Sequence, residues 1–353
     1  MGAGLKSSFC LNTGQYLYVS QYLGDTTTGY EAQENYKTTL KHFFDIFSFL
    51  PSAIYIDKHP DYYSSRLGMQ LADKYNIKYH KVQHHKAHFL AVLAENNLLE
   101  SDMDILGVIF DGTGYGDDGN IWGGEFFIYS KGEINRFAHL DYFDFILADK
   151  MVTEPRISAL AIGKNIKSVK DFLRNKFTST EWEIYTKLLK GQSYLKTSSI
   201  GRLFDAAASL ILGIDKQSYE GQAAMQLESL ASDYLNNNTV SLHDSYIGNG
   251  IVKDIPFILL EAILKDLNSK MGKEKIAYKF HLSLCRYIIN IAEKSKMKAL
   301  AFSGGVFQNS VLVDMLYHFM GDKYQLYFHK QLSPNDECVS LGQMVSANLR
   351  LFD

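Results

Sequence analysis

The chain has 353 residues, of which 46% are hydrophobic and 21% are charged, proportions typical of globular proteins that exclude wholesale disorder. Its 36 basic and 39 acidic residues leave a formal net charge of −3, so no basic excess indicates a nucleic-acid or anionic-membrane surface. The three cysteines are too few for a disulfide scaffold, and no apolar run approaches the ~18 residues of a membrane span. These features predict a cytoplasmic protein that binds neither membranes nor nucleic acid.

Strands and helices alternate through the first hundred residues. The spacing of apolar residues predicts, in chain order, strands over 7–11 and 16–20, a helix over 29–49, a strand over 53–56, a helix over 62–75, a strand over 79–83 and a helix over 84–97. The order is therefore β-β-α-β-α-β-α.

The rest of the chain repeats this plan with an interruption. Strands are predicted over 105–110, 121–129 and 135–140, a helical stretch over about 151–270, a helix over 273–295, a strand over 299–302, a helix over 306–320, a strand over 325–329 and a helix over 335–348. We therefore expect two α/β halves, residues 1–102 and 103–353, around a cleft, with a helical insertion in the second. The alternation favours mostly parallel sheets, whose ligands lie beyond the carboxyl ends of the strands.

A histidine cluster opens the helix over 84–97. His84 and His88 are four residues apart, which places both imidazoles on one helix face, where they can share a metal ion. A metalloprotease is excluded locally, because His85 stands where the general-base Glu would be. Asp111 ends one strand and Asp336 opens the last helix. The duplicated plan brings Asp336 and His84 to the same cleft, where two His with one or two Asp suit Zn²⁺ or Fe²⁺. The alternatives are surface or capping histidines, and an N-cap role for Asp336.

Two glycine-rich segments follow predicted strands. Residues 111–119 (DGTGYGDDG) can cradle phosphate oxygens with backbone amides, or can form a wide hairpin, and no G-K-[ST] of a P-loop follows. Residues 303–309 (SGGVFQN) start a helix, where exposed amides favour an anion or nucleotide. Tight packing of strand on helix is the alternative for this second segment.

Within the insertion, two further segments mark helix starts. They contain Gly201, Arg202 and Asp205 in one case and Glu220 and Gly221 in the other. The charged side chains can reach a ligand in the cleft, or can form salt bridges within the insertion. Cys338 has no assignable base partner in the sequence, so we expect it to be a small buried core residue.

Nine strings of residues resemble the C-terminal, carbamoyl-transferring domain of HypF, the hydrogenase maturation protein. They occur in the family's order over nearly the whole chain: residues 4–11 (GLKSSFCL), 59–62 (HPDY), 82–88 (VQHHKAH), 110–116 (FDGTGYG), 121–125 (IWGGE), 201–206 (GRLFDA), 219–224 (YEGQAA), 303–309 (SGGVFQN) and 334–336 (PND). The fold is similar to that of the tRNA threonylcarbamoyl-transferase TsaD and of antibiotic O-carbamoyltransferases. All belong to the duplicated actin/sugar-kinase (ASKHA) superfamily of ATPases.

The resemblance implies a reaction and its residues. HypF passes a carbamoyl group from carbamoyl-adenylate to the C-terminal cysteine of HypE, as a precursor of the cyanide ligand of [NiFe]-hydrogenase. By motif, His84, His88, Asp111 and Asp336 match its metal ligands. The segments that match its contacts to the ATP or AMP moiety contain Gly112, Thr113, Gly114, Gly201, Asp205, Glu220, Gly221, Ser303, Gly304, Gly305 and Asn309.

The family's acylphosphatase-like, zinc-finger and YrdC-like adenylating domains have no counterpart in this sequence, which has no Cys-x-x-Cys. We therefore expect a separate adenylating domain or protein as a partner, with HypE as the acceptor. His85 is a candidate for proton transfer, because the ordinary pKa of histidine lies near neutral pH. Three alternatives remain: O-carbamoylation of a small molecule, tRNA modification, and a non-catalytic nucleotide-binding scaffold that docks HypE.

Overall fold

The computed structural model describes residues 1–27, 29–191 and 195–349. Its first part contains, in order, β1 (Cys10–Asn12), β2 (Leu17–Val19), α1 (Tyr30–Ile46), β3 (Ala53–Asp57), α2 (Tyr63–Tyr75), β4 (Lys78–Val82) and α3 (His84–Glu95). The strands form two separate pairs, β1 with β2 antiparallel and β3 with β4 parallel. The predicted element order is therefore confirmed, although the first two strands are shorter than expected.

A seven-stranded sheet organises the rest of the described chain. Its strands are β5 (Ile105–Tyr115), β6 (Ile121–Ser130), β7 (Glu133–His139), β8 (Phe143–Asp144), β9 (Lys196–Thr197), β10 (Ala299–Ser303) and β11 (Gln325–Tyr327). They run in the order β11-β10-β5-β6-β9-β8, and β7 also pairs with β6.

This sheet is mixed, so the expectation of mostly parallel strands is wrong for the segment from β5 to β7. The ladders of β10 with β5 and with β11 are parallel, whereas β5, β6 and β7 pair antiparallel in sequence. Short turns join these three strands, and a short connection can join strands only in antiparallel fashion.

The remaining helices cover the sheet and form the insertion. They are α4 (Asp149–Thr153), α5 (Pro155–Ile162), α6 (Lys167–Leu173), α7 (Ser179–Lys190), α8 (Ile200–Ile211), α9 (Gln222–Leu235), α10 (Ile255–Asn268), α11 (Lys273–Ser295), α12 (Ser310–Met320) and α13 (Val339–Val345). The stretch over 151–270 is thus helical as predicted, except that β9 joins the sheet. Among the residues that the structure describes, no helix is long and apolar enough to cross a membrane.

Helix α3 is buried on all sides because its residues after the histidines are almost entirely apolar. Phe89 and Leu90 pack with Ile109 of β5 and Ala301 of β10 in one hydrophobic cluster. On its other side α3 packs against α13 so closely that a Cβ at Gly342 would lie 1.8 Å from the carbonyl oxygen of Ala87. This packing holds the histidines of α3 rigidly against the sheet and the end of the chain.

Two differences between predicted and observed boundaries fall at candidate site residues. Strand β5 does not end at Phe110 but continues to Tyr115, with a shift of register between Phe110 and Gly114. The predicted last helix is broken: a 3-10 turn over Asp336–Cys338 precedes α13, and its N-cap is Asn335, whose side chain accepts from the amide of Glu337. Asp336 is therefore not the N-cap, and its carboxylate is free for another role.

Candidate metal centre

Two buried histidines form one side of the candidate site. His84 and His88 lie on the first two turns of α3, and both side chains are fully buried. Gln83 caps this helix, with its side-chain oxygen accepting from the amide of Lys86 over 2.9 Å. The Nε2 atoms of both histidines are buried without a hydrogen-bond partner. An unpartnered buried ring nitrogen is costly, and a metal ion can satisfy it.

Two carboxylates face these nitrogens. Nε2 of His84 lies 3.4 Å from an oxygen of Asp111 and 3.5 Å from one of Asp336. Nε2 of His88 lies 3.8 Å and 3.5 Å from the same two oxygens. One ligand atom of each residue falls within 4.8 Å of all the others. The four predicted ligands therefore converge, and two imidazoles with two carboxylates fit a divalent cation such as Zn²⁺ or Fe²⁺.

The histidines and carboxylates of this group stabilise each other's charged forms. Burial opposes protonation of His84, but the carboxylates of Asp57, Asp336 and Asp111 raise its pKa well above the ordinary value. Burial likewise opposes ionisation of Asp111, yet His84 and His88 hold its pKa below the usual range. Without a metal, the positive charge that the carboxylates require comes from the histidines.

Asp57 is a site residue that the sequence analysis missed. It ends β3, and its carboxylate lies 2.8 Å from Nδ1 of His84 while its other oxygen accepts from the amide of His59 over 2.8 Å. A metal-binding histidine commonly donates its second ring N–H to a carboxylate in this way. One feature of the sequence could have identified Asp57. It is an acidic residue at the carboxyl end of β3, and β3 runs parallel to β4, the strand that precedes α3.

Cys338 is also closer to the site than expected. It is buried as predicted, but its sulfur lies 3.3 Å from Nδ1 of His88. Burial opposes ionisation of the thiol, whereas His88 and His329 lower its pKa to about 6. The sequence could have indicated that Cys338 lies near the site, because it is only two residues from Asp336.

His85 is fully buried beneath β5, where a Cβ at Gly114 would lie 2.5 Å from its ring. Burial and the neighbouring charge of His84 hold its pKa well below the ordinary value, so the expectation of a pKa near neutral pH is wrong. The side-chain amide of Gln83 lies 3.2 Å from Nδ1 and 2.9 Å from the carbonyl oxygen of Tyr115. Since that NH₂ group is the donor, the neutral ring carries its proton on Nε2. A role in the reaction stays a prediction.

The two glycine-rich segments meet at Asp111. The amide of Gly305 donates to its Oδ1 over 3.1 Å, and Gly304, at φ 101°, would place a Cβ 2.2 Å from the carbonyl oxygen of Phe110. Gly112, Thr113 and Gly114 belong to the irregular part of β5. Their backbone lies beside the start of α8. The approach is so close that a Cβ at Gly201 would lie 2.9 Å from the Cα of Gly112.

The side chains of two predicted nucleotide contacts have partners inside the protein. Asn309 caps α12 by accepting from the amide of Leu312 over 2.9 Å, and it lies 3.0 Å from Nε2 of His281. The hydroxyl of Ser303 lies 3.1 Å from Nδ1 of His88. Ser303 therefore belongs to the surroundings of the metal-binding group, and a nucleotide would meet the backbone of this segment.

The insertion contributes one member of an ion pair that lies near the carboxylates of the site. Glu220, next to Gly221 at the start of α9, lies 2.7 Å from Nζ of Lys6, so its salt bridge is made to the first part of the chain and not within the insertion. Burial opposes the charge of Lys6, but Glu220, Asp336 and Asp111 raise its pKa. This cation therefore lies within the field of the site's carboxylates.

Asp205 has mainly structural contacts. Its carboxylate lies 3.1 Å from Nη2 of Arg202 and accepts from Gln217 over 3.0 Å, and burial raises its pKa to about 6. Nε and Nη1 of Arg202 are buried without partners. Asp205 therefore forms a salt bridge within the insertion, which is one of the two roles expected for it. Nε and Nη1 of Arg202 remain beside it as donors without a partner.

Comparison with known proteins decides the family. The model of the HypF Kae1-like domain matches residues 1–95, and the model of the second subdomain of the carbamoyltransferase Kae1-like domain matches residues 107–343. The chain belongs to the HypF Kae1-like family. Its four candidate ligands all lie within these two matched segments.

Relatives of this family align along nearly the whole chain. Carbamoyltransferase HypF from Synechocystis sp. is 34% identical over an alignment of 375 positions, gaps included, which covers 98% of this chain and 46% of the relative. A carbamoyltransferase HypF homolog from Cupriavidus necator is 28% identical. The alignment covers 97% of this chain and 89% of that homolog. The chain thus spans about half the length of most of the curated HypF relatives that it matches.

Solved structures confirm the α/β fold. A full-length HypF crystallised in a phosphate- and nucleotide-bound form is 30% identical and superposes with a TM-score of 0.87 over 98% of this chain and 45% of that one. HypF of T. kodakarensis is 28% identical, with a TM-score of 0.84 over 97% of this chain and 46% of its own.

Proposed function

We propose that the chain is the carbamoyl-transferring unit of a HypF-type enzyme. It takes the carbamoyl group of carbamoyl-adenylate and passes it to the C-terminal cysteine thiolate of HypE. The observation that supports this most directly is the buried group of His84, His88, Asp111 and Asp336 at the meeting point of the two glycine-rich segments.

The transfer needs an activated carbonyl group and a stabilised leaving group. In the step, the thiolate forms a C–S bond with the carbamoyl carbon, the bond from that carbon to the phosphate oxygen breaks, and AMP leaves with the electron pair. If a divalent cation binds there, His84, His88, Asp111 and Asp336 would hold it, and it would supply a Lewis acid for the carbamoyl oxygen. Because the acceptor brings its own thiolate, no covalent intermediate on this chain is required.

The chain's own residues position the anionic half of the substrate. Backbone amides around Gly112 and Gly304 can donate to phosphate oxygens, as glycine-rich turns do in other phosphate sites. Lys6 adds a positive charge beside the carboxylates, which would otherwise repel the phosphate. His85, neutral with its proton on Nε2, is suited to donate a hydrogen bond rather than to accept a proton.

We further propose that the two matched segments are the halves of a duplicated actin-like fold, divided near residues 102–103, with the helical insertion in the second half. The arrangement that supports this is the position of the ligands. Two come from α3 in the first part, and two come from β5 and the turn before α13 in the second.

A transfer assay tests the proposed function. The chain, loaded with Zn²⁺ or Fe²⁺, is mixed with separately generated carbamoyl-adenylate and HypE, and the mass of HypE is read. We expect a gain of one carbamoyl group that depends on this chain and that Asp336→Ala abolishes while Glu337→Ala retains. No gain with folded, metal-loaded chain would contradict the proposal for the isolated unit, and a gain on a small hydroxyl compound or a tRNA instead would identify a different acceptor.

A further inference from the structure

The corner that leads from β9 into α8 is tied to the middle of the seven-stranded sheet. The amide of Ser198 donates to the carbonyl oxygen of Ile121 over 3.1 Å, and its hydroxyl donates to the fully buried side chain of Glu125. The second oxygen of Glu125 lies 2.6 Å from Nε of Arg136. These contacts fix the backbone just before α8, so the next residue, Ser199, is held in place.

The hydroxyl of Ser199 makes two contacts whose directions are fixed by the partners. Ser199 is the N-cap of α8, and its oxygen accepts from the amide of Arg202 over 3.0 Å. The same oxygen contacts the carbonyl oxygen of Gly112, which can only accept. Because a serine hydroxyl carries a single proton, that proton is donated to Gly112. The carbonyl oxygen of Asp111 lies further away, at 3.4 Å.

The contact with Gly112 orients one peptide bond in the irregular part of β5. The residues from Asp111 to Thr113 have no partner in the register of β5 with β6, so regular pairing does not orient this bond. The peptide bonds of the described chain are trans. Across a trans bond the carbonyl group and the following N–H group point in opposite directions. Since the carbonyl group of Gly112 points at the start of α8, the N–H group of Thr113 points away from it.

The space beside this N–H group is open. In the described part of the chain, a Cβ at Gly112 would have no neighbouring atom within 4 Å, whereas a Cβ at Gly114 would lie 2.5 Å from the ring of His85. In a trans peptide bond the N–H group of Thr113 lies on the same side as the Cα of Gly112, so the open space adjoins it. Glycine at position 112 therefore lets an anion approach the backbone closely.

We propose that Ser199 is a positioning residue, which directs the N–H group of Thr113 into the cleft, where that group binds an oxygen of the phosphate of an adenylate. A backbone N–H group binds a charged oxygen more strongly than a neutral one, so the phosphate is the expected partner within an adenylate. The inference rests on the nucleotide-binding part of the proposed function, and not on the acceptor of the carbamoyl group.

The preference of the chain for AMP over adenosine tests this inference, because these two ligands differ only in the phosphate. Both affinities are measured by calorimetry on the 353-residue chain at one fixed Zn²⁺ concentration. We expect the unaltered chain to bind AMP more tightly than adenosine. Ser199→Ala should reduce this preference about 10-fold and leave the affinity for adenosine unchanged, because only the hydrogen bond to the charged phosphate is lost.

Two further variants separate the orientation of the peptide bond from the stability of a helix. Thr178→Ala removes the N-cap of another helix, α7, at a similar cost in stability, and should bind AMP and adenosine as the unaltered chain does. Ser199→Gly loses the hydroxyl but keeps most of the stability of α8, because glycine is well tolerated at an N-cap. It should show the same reduced preference as Ser199→Ala, even if the alanine variant folds poorly.

Gly112→Ala tests the open space directly. Its methyl group would meet no atom of the described chain within 4 Å, so thermal unfolding should hardly change. The methyl group would instead occupy space next to the N–H group of Thr113, and the preference for AMP should fall about 10-fold.

Nitrogen-15 NMR of threonine-labelled chain reports on the N–H group itself. In the unaltered chain AMP, but not adenosine, should shift the amide signal of Thr113, which is identified by its loss in Thr113→Ser. In Ser199→Ala the shift caused by AMP should be much smaller.

An unchanged preference for AMP in folded Ser199→Ala and Ser199→Gly would overturn the proposal. So would equal losses of affinity for AMP and adenosine, since Ser199 would then have a purely structural role, and so would an unaltered chain without any preference for AMP. Carbamoyl transfer bears on a different point. A chain that prefers AMP as expected but does not carbamoylate HypE counts only against the proposed function, and one that transfers without this preference counts only against the role of Ser199.

Discussion

The carboxylate of Asp57 lies 2.8 Å from Nδ1 of His84, with both side chains fully buried. This contact fixes the ring of His84 and leaves Nε2 for a cation. We predict that Asp57→Asn lowers cation affinity about 10–100-fold, because the amide loses the negative charge and can present its NH₂ to an N–H group. Chelator competition measures the loss.

Asp61→Asn is the control for this variant, since Asp61 is exposed a few residues further along the same loop. It should bind the cation as the unaltered chain does. Equal affinities of Asp57→Asn and Asp61→Asn would show that the Asp57–His84 contact has no part in holding the cation.

Replacing one of the four candidate ligands should reduce cation binding more than replacing Asp57. We predict that His84→Ala and Asp336→Ala each lose most of the bound metal, since each removes one of four ligands from a closed group. Elemental analysis of purified protein measures occupancy. Glu337→Ala, which changes the neighbouring side chain without touching the group, should keep its metal. Full occupancy in either ligand variant would remove that residue from the set.

Cation binding should release protons. Despite burial, the surrounding groups raise the pKa of His84 well above its ordinary value, and Cys338 and Asp336 raise that of His88 to about 10. Both imidazoles are therefore protonated at pH 7 without a cation, and both must become neutral to bind one. Affinity then rises with pH up to the raised pKa values.

Calorimetry in two buffers with different ionisation enthalpies measures the proton count. The apparent binding heat should differ between them by an amount that corresponds to more than one proton per cation. Identical heats at pH 7 would mean that the histidines are already neutral, against the electrostatics of the group.

The contact of α3 with α13 gives a prediction about stability. A Cβ at Gly342 would lie 1.8 Å from the carbonyl oxygen of Ala87, a backbone atom that cannot move aside without shifting α3. We predict that Gly342→Ala lowers the free energy of unfolding by about 1–3 kcal/mol and weakens cation binding, because α3 carries both histidines. Denaturant unfolding measures the first effect.

Gly272→Ala is a suitable comparison, since its Cβ would meet only the carboxylate end of Glu274, at 3.1 Å. That flexible side chain can rotate away, so stability should hardly change. If both variants unfold at the same denaturant concentration, the helix contact is looser than the structure indicates.

The ligand group was predictable because its signals are local. The spacing of His84 and His88 places both on one helix face, Asp111 follows the apolar run of β5, and Asp336 stands where a helical segment begins. The duplicated plan predicts that His84 and Asp336 face the same cleft, and the resemblance to the HypF family completes the set of four. The predicted and observed groups are the same four residues.

The residues behind the ligands were not predictable in this way. Asp57, Ser303 and His329 lie at or just beyond strand ends that are distant in sequence from the residues they contact, and no periodicity marks such a contact. The low pKa of His85 has the same origin, since it depends on burial under β5. The antiparallel pairing of β5 with β6 was not predicted, because runs of apolar residues do not indicate the direction of a strand.

The four candidate ligands lie on α3, on β5 and on the turn before α13, so most of the chain separates the first of them from the last. A cation bound to all of them acts like a cross-link between the beginning and the end of the polypeptide. Such a link restricts the unfolded chain most when the enclosed loop is long. As long as the cation is bound, neither part can unfold without breaking the coordination, so the two parts lose their structure together.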